Sequence, residues 1–415
     1  MVLSPYRVLE LASVRTPLCG QMLGDLGADV IVIEPPGSSQ ARRLGPFYED
    51  RPDLNCSLWW WAFNRNKRAI TLDIETADGR ELLRRLVEHT DFLVEGFDPG
   101  YLEGLGLGYG PLAEISPRLV MTSITPFGQS GPKASYADSD IVLMAATGVL
   151  AMTGDEDRAP LRMSTAQAYL HAAAEGAVGA LVAHYERERS GRGQHMDVSA
   201  QAAVMMATQS YALQGGWGGA PFQRASGGLR LGPLHLRLLF PCADGHVSIT
   251  LLSGSAIGPA TARLMEWMCE EGFIDQATTR DKDWVAFGDR LLTGQEPVSE
   301  LLRVTERVEV FCRAHTKREL YEEAQRRGVL LAPAATMEDV VESPQLEARG
   351  YWVEVEHPEL SRSFTYPGPF VKLSETPLHT RRRPPLLGEH NEEIYCRELG
   401  LSRDEFAALC NASVI

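Results

Sequence analysis

Residues 6–37 read YRVLELASVRTPLCGQMLGDLGADVIVIEPPG, and their order decides the fold. RVLEL is a short apolar run, TPLCGQMLGDLGA carries a helical period with glycine near its end, and DVIVIE is a second apolar run. That is one strand–helix–strand unit. The pattern returns as KRAITLD, then TADGRELLRRLVEHT with Leu82, Leu83, Leu86 and Val87 on one helical face, then DFLVEGF, and after a short helix RLVMTSI. Strands alternating with helices predict an α/β fold with a parallel sheet covered on both faces. The turn after the first strand is ASVRTP rather than GxGxxG, so a nicotinamide or flavin dinucleotide has no sequence support.

The chain has 415 residues, more than one hydrophobic core usually serves, and two domains are expected. Apolar residues make up 44% and charged residues 23%, the profile of an ordinary globular protein. A net charge of −15 argues against a nucleic-acid partner, because phosphate backbones are bound by clustered Lys and Arg. Seven cysteines stand singly, without CxxC pairs or histidines at ligand spacing, and read as reduced thiols with no metal. No basic segment leads into a long apolar run near the N-terminus, and no later run approaches the ~18 apolar residues of a membrane span, so a cytoplasmic location without membrane contact is expected.

Further along, QGGWGGAPFQRASGGLRLGP (214–233) reads as a loop or domain linker. LHLRLLFPCADGHVSITL then reads as a hairpin turning at Ala243-Asp244-Gly245. Residues 255–330 are mostly helical in pattern, WVEVEHPEL is strand-like, and Ser402 with Glu405 forms a capping box for a last helix.

Several stretches belong together: RVLELA…GQMLGDLGADVIVIEPPG, NRNKRAITLD, DFLVEGFDPGYLEGLGLGYGPL, SPRLVMTSITPFGQSGP, RSGRGQHMDVS and PLLGEHNEEI…ELGLS. Collinear from residue 6 to about 402, they resemble the family III CoA-transferases, the CaiB/BaiF family. The resemblance implies a Rossmann-like large domain built from 1–200 and 331–415, a linker and glycine loop over 201–235, and a smaller α+β domain over 236–330. It also implies two chains interlocked as a ring-threaded dimer, with each active site between the large domain of one subunit and the small domain of the other.

The chemistry implied is transfer of CoA from an acyl-CoA to a carboxylic acid. An aspartate attacks the thioester to give a mixed anhydride; the released thiolate then attacks that anhydride and leaves an aspartyl-CoA thioester with the bond energy conserved. A phenol would form an ester too stable to return CoA. Counting back without a gap from Gly191-Arg192-Gly193-Gln194 places Tyr169 where the resemblance calls for that aspartate, and no Asp or Glu lies between Asp157 and Glu175. Other positions are altered as well. Gly96 stands where the family has an asparagine facing CoA, Gly104 where it has a basic residue for the nucleotide, and Ser139 where its racemases carry a histidine base. His171 and His195 are bases by residue type alone.

Arg65, Lys67 and Arg68 are the remaining candidates for a CoA phosphate. Trp60, within the run Trp59-Trp60-Trp61, is a candidate wall for an aryl pocket or for dimer packing. Arg15 falls where family members place a residue over the reacting carboxylate. Gly227, Gly228 and Arg230, in the loop 226–232, would close over the partner's aspartate, with Arg230 clamping a second carboxylate.

The expectation is therefore the non-catalytic subunit of a heteromeric transferase of the succinyl-CoA:benzylsuccinate type, whose homologous partner carries the aspartate. Its donor would be succinyl-CoA and its acceptor an aryl-substituted succinate, with a CoA thioester as substrate and no covalently bound cofactor. An independently active CoA-ester transferase or racemase with a displaced nucleophile, and a non-enzymatic acyl-CoA-binding scaffold, are the alternatives.

Overall fold

The structure, a computed structural model, describes residues 1–218, 224–231, 234–277 and 282–415. It divides into two compact units, one of residues 1–149, 163–213 and 344–415, the other of residues 150–162 and 214–343.

The larger unit is built on six strands: β1 (Arg7–Leu11), β2 (Asp29–Glu34), β3 (Lys67–Thr71), β4 (Phe92–Glu95), β5 (Val120–Thr125) and β6 (His195–Ser199). Their order is β3-β2-β1-β4-β5-β6, and every neighbouring pair is parallel. Helices on both faces make β1 to β5 almost wholly buried, which is why these strands read as continuous apolar runs rather than alternating ones. Pro17 opens the helix Pro17–Asp25, where its missing N–H costs nothing. The face of Ala77–Val87 carrying Leu82, Leu83, Leu86 and Val87 is buried, as its spacing predicts.

The long helix Ala168–Ser190 buries Ala168, Ala172, Ala173, Gly176, Ala177, Ala180 and Ala183, small residues that let its axis lie close to the sheet. It ends on Gly191 at φ 73°, a left-handed cap. A Cβ at Gly193 would stand 1.9 Å from Leu119 O, so the GRGQ turn needs glycine to enter β6 beside β5. A hairpin, β12 (Trp352–His357) with β13 (Arg362–Pro367), and the capped helix Arg403–Asn411 complete this unit.

In the smaller unit β7 (Gly228–Leu231) pairs with β8 (Leu234–Arg237), and β9 (Leu239–Cys242) turns through Ala243 and Asp244 into β10 (Gly245–Ile249), which also pairs with β11 (Leu331–Pro333). The segment expected as a linker over 201–235 is different in kind. Ser199 Oγ accepts from Ala202 N and caps the helix Ala200–Met205, a second helix spans Gln209–Gly216, and Gly228–Leu231 is a strand. Residues 219–223, 232 and 233 of that segment lie outside the described residues. The smaller unit also reaches to residue 343, because β11 joins its sheet. Among the described residues, no helix is long and apolar enough to cross a membrane.

Candidate active site

Reading the strands from β3 to β6, chain order reverses between β1 and β4, and in such sheets the crevice beyond the strand C-termini at the reversal is where ligands bind. Here β1 ends at Leu11 and the turn Ala12–Thr16 follows, while Gly96 follows β4. The turn is pinned by Thr16 Oγ1 donating to Glu10 Oε1 (3.1 Å) and by Arg15 N donating to Ser13 Oγ (3.0 Å). It projects the Arg15 guanidinium across the crevice. Arg15 Nη1 donates to Gly96 O and Asp98 Oδ1, and Nη2 to Asp138 Oδ1, each at 2.9 Å.

Asp138 lies just before the helix Asp140–Ala146 and accepts on its other oxygen from the Tyr169 hydroxyl. The Arg15 guanidinium also lies over the Tyr169 ring, 5.5 Å from its centroid. Asp140 Oδ1 accepts from Gln167 N (2.6 Å) and Ala168 N (2.9 Å), so this carboxylate fixes the start of the long helix and hence Tyr169. Burial, then the bond to the Asp138 carboxylate, push the Tyr169 phenol far above its ordinary range, against the smaller opposing pull of Arg15. It is a proton donor at physiological pH, not a nucleophile.

Arg15, Asp138, Asp140 and Tyr169 line one cleft of about 700 Å³, with Ser139, Gln40, Leu44, Pro46, Leu170, Trp59 and Phe63. Trp59 and Phe63 are four residues apart on the helix Leu58–Phe63, so they share a face, and their rings are 5.2 Å apart. The cleft thus holds an aromatic pair together with a cation and a carboxylate.

The sequence candidates distribute differently from expectation. Trp60 is not the aryl wall: it is 1% exposed, its indole N–H donates to Pro385 O (3.1 Å), and the Arg42 guanidinium lies 3.8 Å from its ring. One step along a helix is a turn of roughly 100°, which faces Trp60 into the core and Trp59 into the cleft.

Arg65, Lys67 and Arg68, the candidates for a CoA phosphate, are buried, and the C-terminal segment covers β3. Lys67 is fully buried and bonds Glu10 Oε2 (2.7 Å), Pro17 O and Asn64 Oδ1 (both 2.8 Å). Arg65 bonds Asp25, Pro367 O and Gly368 O, and Arg68 bonds Asp29, Glu393 and Glu398. All three cations are committed within the chain.

Gly96 has a local packing reason: a Cβ there would stand 2.6 Å from Ser13 Oγ and 3.0 Å from Arg15 Cβ. Gly104 has none, since nothing lies within 4 Å of a Cβ. Gly227 has φ 66°, a Cβ on Gly228 would stand 2.5 Å from Leu236 O, and Arg230 pairs with Glu156; all belong to the smaller unit, and Gly232 lies outside the described residues. His195 sits in β6, bonded to Ser123 Oγ at 2.8 Å, with burial lowering its pKa; His171 is exposed.

Sequence reading missed Asp138, Asp140 and Phe63, and chose Trp60 rather than Trp59 from the tryptophan run. The acidic pair flanking Ser139 ahead of a helix, and the i, i+4 aromatic spacing, were the signals available.

A second crevice of about 540 Å³ lies at the ends of β1, β2 and β3, lined by Pro35–Gln40, Leu72–Glu75, Phe97 and Tyr101 among others. It holds two carboxylates, Asp73 and Glu75, and no lining Lys or Arg; Arg43 donates to Gly37 O at its edge.

Comparison with known proteins adds three likenesses and a family. Residues 3–391 match the model of CoA-transferase family III. The chain is 35% identical over 394 residues to the succinyl-CoA:(R)-benzylsuccinate CoA-transferase subunit BbsE of Thauera aromatica, covering 94% of this chain and 93% of that protein. It is 32% identical to the succinyl-CoA–D-citramalate CoA-transferase of Chloroflexus aurantiacus, covering 100% and 98%. A CaiB/BaiF family protein from Brucella suis has a similar crystal structure, with a TM-score of 0.78, 28% identity, and 95% and 98% coverage.

Proposed function

The chain belongs to CoA-transferase family III, and from that premise we propose that it is the non-catalytic subunit of a heteromeric CoA-transferase. Its partner is a homologous chain carrying the aspartate nucleophile, the donor is succinyl-CoA, and the acceptor is an aryl-substituted succinate such as benzylsuccinate. The observation that carries this reading is the closed triad of the cleft. Tyr169 stays protonated and bonds Asp138, while Arg15 holds the other oxygen of that carboxylate. A carboxylate held by two donors is a weak nucleophile, and a protonated phenol is weaker still.

Three further features support the reading. The crevice at the ends of β1 to β3 carries two carboxylates and no lining Lys or Arg, a setting that disfavours a nucleotide's phosphates. Trp59 and Phe63 suit an aryl group. Val178, Val182 and Tyr185 form an exposed apolar ridge on the long helix, 51%, 64% and 69% exposed, which suits coverage by a second chain in the interlocked dimer proposed here. The relatives named for succinyl-CoA support the donor, and the relative named as a subunit supports the heteromer.

One observation favours a second reading. Asp138 is itself a carboxylate in the cleft, so a displaced-nucleophile enzyme would use its Oδ to attack the thioester carbon and expel CoA thiolate. Attack of that thiolate on the Asp138 γ-carbonyl of the anhydride would then give aspartyl-CoA and free succinate. Intact-mass measurement with succinyl-CoA separates the readings. We expect no CoA adduct on this chain alone, an adduct on the partner when both are present, and turnover only with both. An adduct on this chain that disappears in D138N would overturn the non-catalytic reading and establish the second.

A further inference from the structure

The smaller unit contains a cavity that the transferase reading leaves unused. It measures about 260 Å³ and is walled by core side chains, among them Leu236, Leu251, Trp284, Phe287, Leu301 and Val304. Protein interiors are close-packed, with few voids larger than a water molecule. An apolar cavity of ~150 Å³ stays dry and takes benzene, so this one has room for a ring with a short substituent.

Trp284 supplies the second observation. It is 4% exposed, and its indole N–H is buried without a hydrogen-bond partner among the described residues. Trp352, away from the cavity, shares this state, whereas three other tryptophans donate: Trp60 to Pro385 O, Trp61 to Asn55 O and Trp267 to Glu271 Oε1. A buried donor without an acceptor is destabilising, and native structures rarely keep one without a reason. None of the other polar side chains of the wall, Ser253, Thr261 and Asp289, accepts from it: Thr261 Oγ1 donates to Leu252 O at 2.6 Å, and Asp289 is exposed. No Lys or Arg lines the cavity, while Asp289 does, so an anion is disfavoured.

We propose that this cavity binds a neutral molecule of one aromatic ring and a short substituent bearing a single accepting oxygen, which takes the hydrogen bond of Trp284. This class excludes carboxylates and CoA thioesters, so the site is independent of the proposed transferase function.

The test titrates the full chain, with 15N-labelled indoles, with acetophenone, ethylbenzene and benzoate. The Trp284 resonance is the one missing from W284F. We expect saturable acetophenone binding that shifts this resonance, ethylbenzene about tenfold weaker without the shift, and benzoate weaker still. In W284F acetophenone falls to the level of ethylbenzene, and V304F, which fills the cavity, weakens both. Should V304F fail to fold, the wild-type titrations decide alone. Absence of saturable acetophenone binding, equal affinity for acetophenone and ethylbenzene, or an unmoved Trp284 resonance overturns the proposal and leaves a void or a bound water.

Discussion

Two sets of paired charges stand near β1 and differ in their surroundings. Beneath the sheet surface, Lys67 and Glu10 are fully buried and bonded to Pro17 O, Asn64 and Thr16. At the C-terminal edge, Arg15 and Asp138 keep 14% side-chain exposure each, and both line the cleft. Residue type does not separate them, since both are a cation paired with a carboxylate. The interior pair holds strands together, whereas the cleft pair faces a space that a ligand can enter. Motif reading placed Lys67, with Arg65 and Arg68, among the candidates for a CoA phosphate because the sequence shows a charge but not what covers it.

The largest effect expected is at the interior pair. Lys67→Met leaves Glu10 buried and unpaired, a loss of about 3–5 kcal/mol in denaturant unfolding. A loss below about 1 kcal/mol would mean the pair is as solvated as the cleft pair, and the contrast would break.

The tryptophan run offers a second test of the same contrast. Trp60→Ala empties a fully buried site and should cost about 3–5 kcal/mol. Trp59→Ala, on the cleft face, should cost far less stability while weakening turnover of the proposed aryl-succinate acceptor by the proposed heteromer. Equal stability losses would put both indoles in the core.

Glu95, at the end of β4 beside the crevice, sharpens the comparison through pH. Burial raises its pKa from 4.5 to about 7, although Ser123 and the Phe97 N–H stabilise its charged form. Between those values the folded chain binds the extra proton, so stability falls as pH rises from 4.5 to 7, by roughly 3 kcal/mol. Glu95→Gln should flatten that slope and raise the Tm at pH 8. A slope unchanged in the variant would assign it to other groups.

The smallest effect belongs to the cleft. Tyr169→Phe removes one hydrogen bond to Asp138 and should cost about 1 kcal/mol. Unfolding midpoints of the two proteins measure it, and a loss of several kcal/mol would make the triad a structural element like the interior pair.

Much of the fold was legible in the sequence. The apolar runs at 7–11, 29–34, 67–71, 92–95 and 120–125 mark strands because burial on both faces demands such residues. The Ala243-Asp244 turn and the Ser402/Glu405 capping box were legible for the same local reason. The segment 201–216 was misread as linker because glycines near its end outweighed a helical start capped by Ser199. In the site, Tyr169 and Arg15 were found by position along the chain. Asp138 was passed over because it lies 31 residues before Tyr169 and meets it only through the fold.

By itself the sequence determined the strand–helix alternation, the acidic balance, and a phenol where the resemblance calls for a carboxylate. Those are properties of single residues and their near neighbours, set by burial periodicity and side-chain chemistry. Only the tertiary structure decided which charges are interior and which face the cleft. It also turned Trp59 rather than Trp60 toward the site, and brought Arg15, Asp138 and Tyr169 into one hydrogen-bonded group. Burial and partnership depend on segments hundreds of residues apart, such as Pro385 against Trp60 and Glu398 against Arg68, which no local pattern encodes.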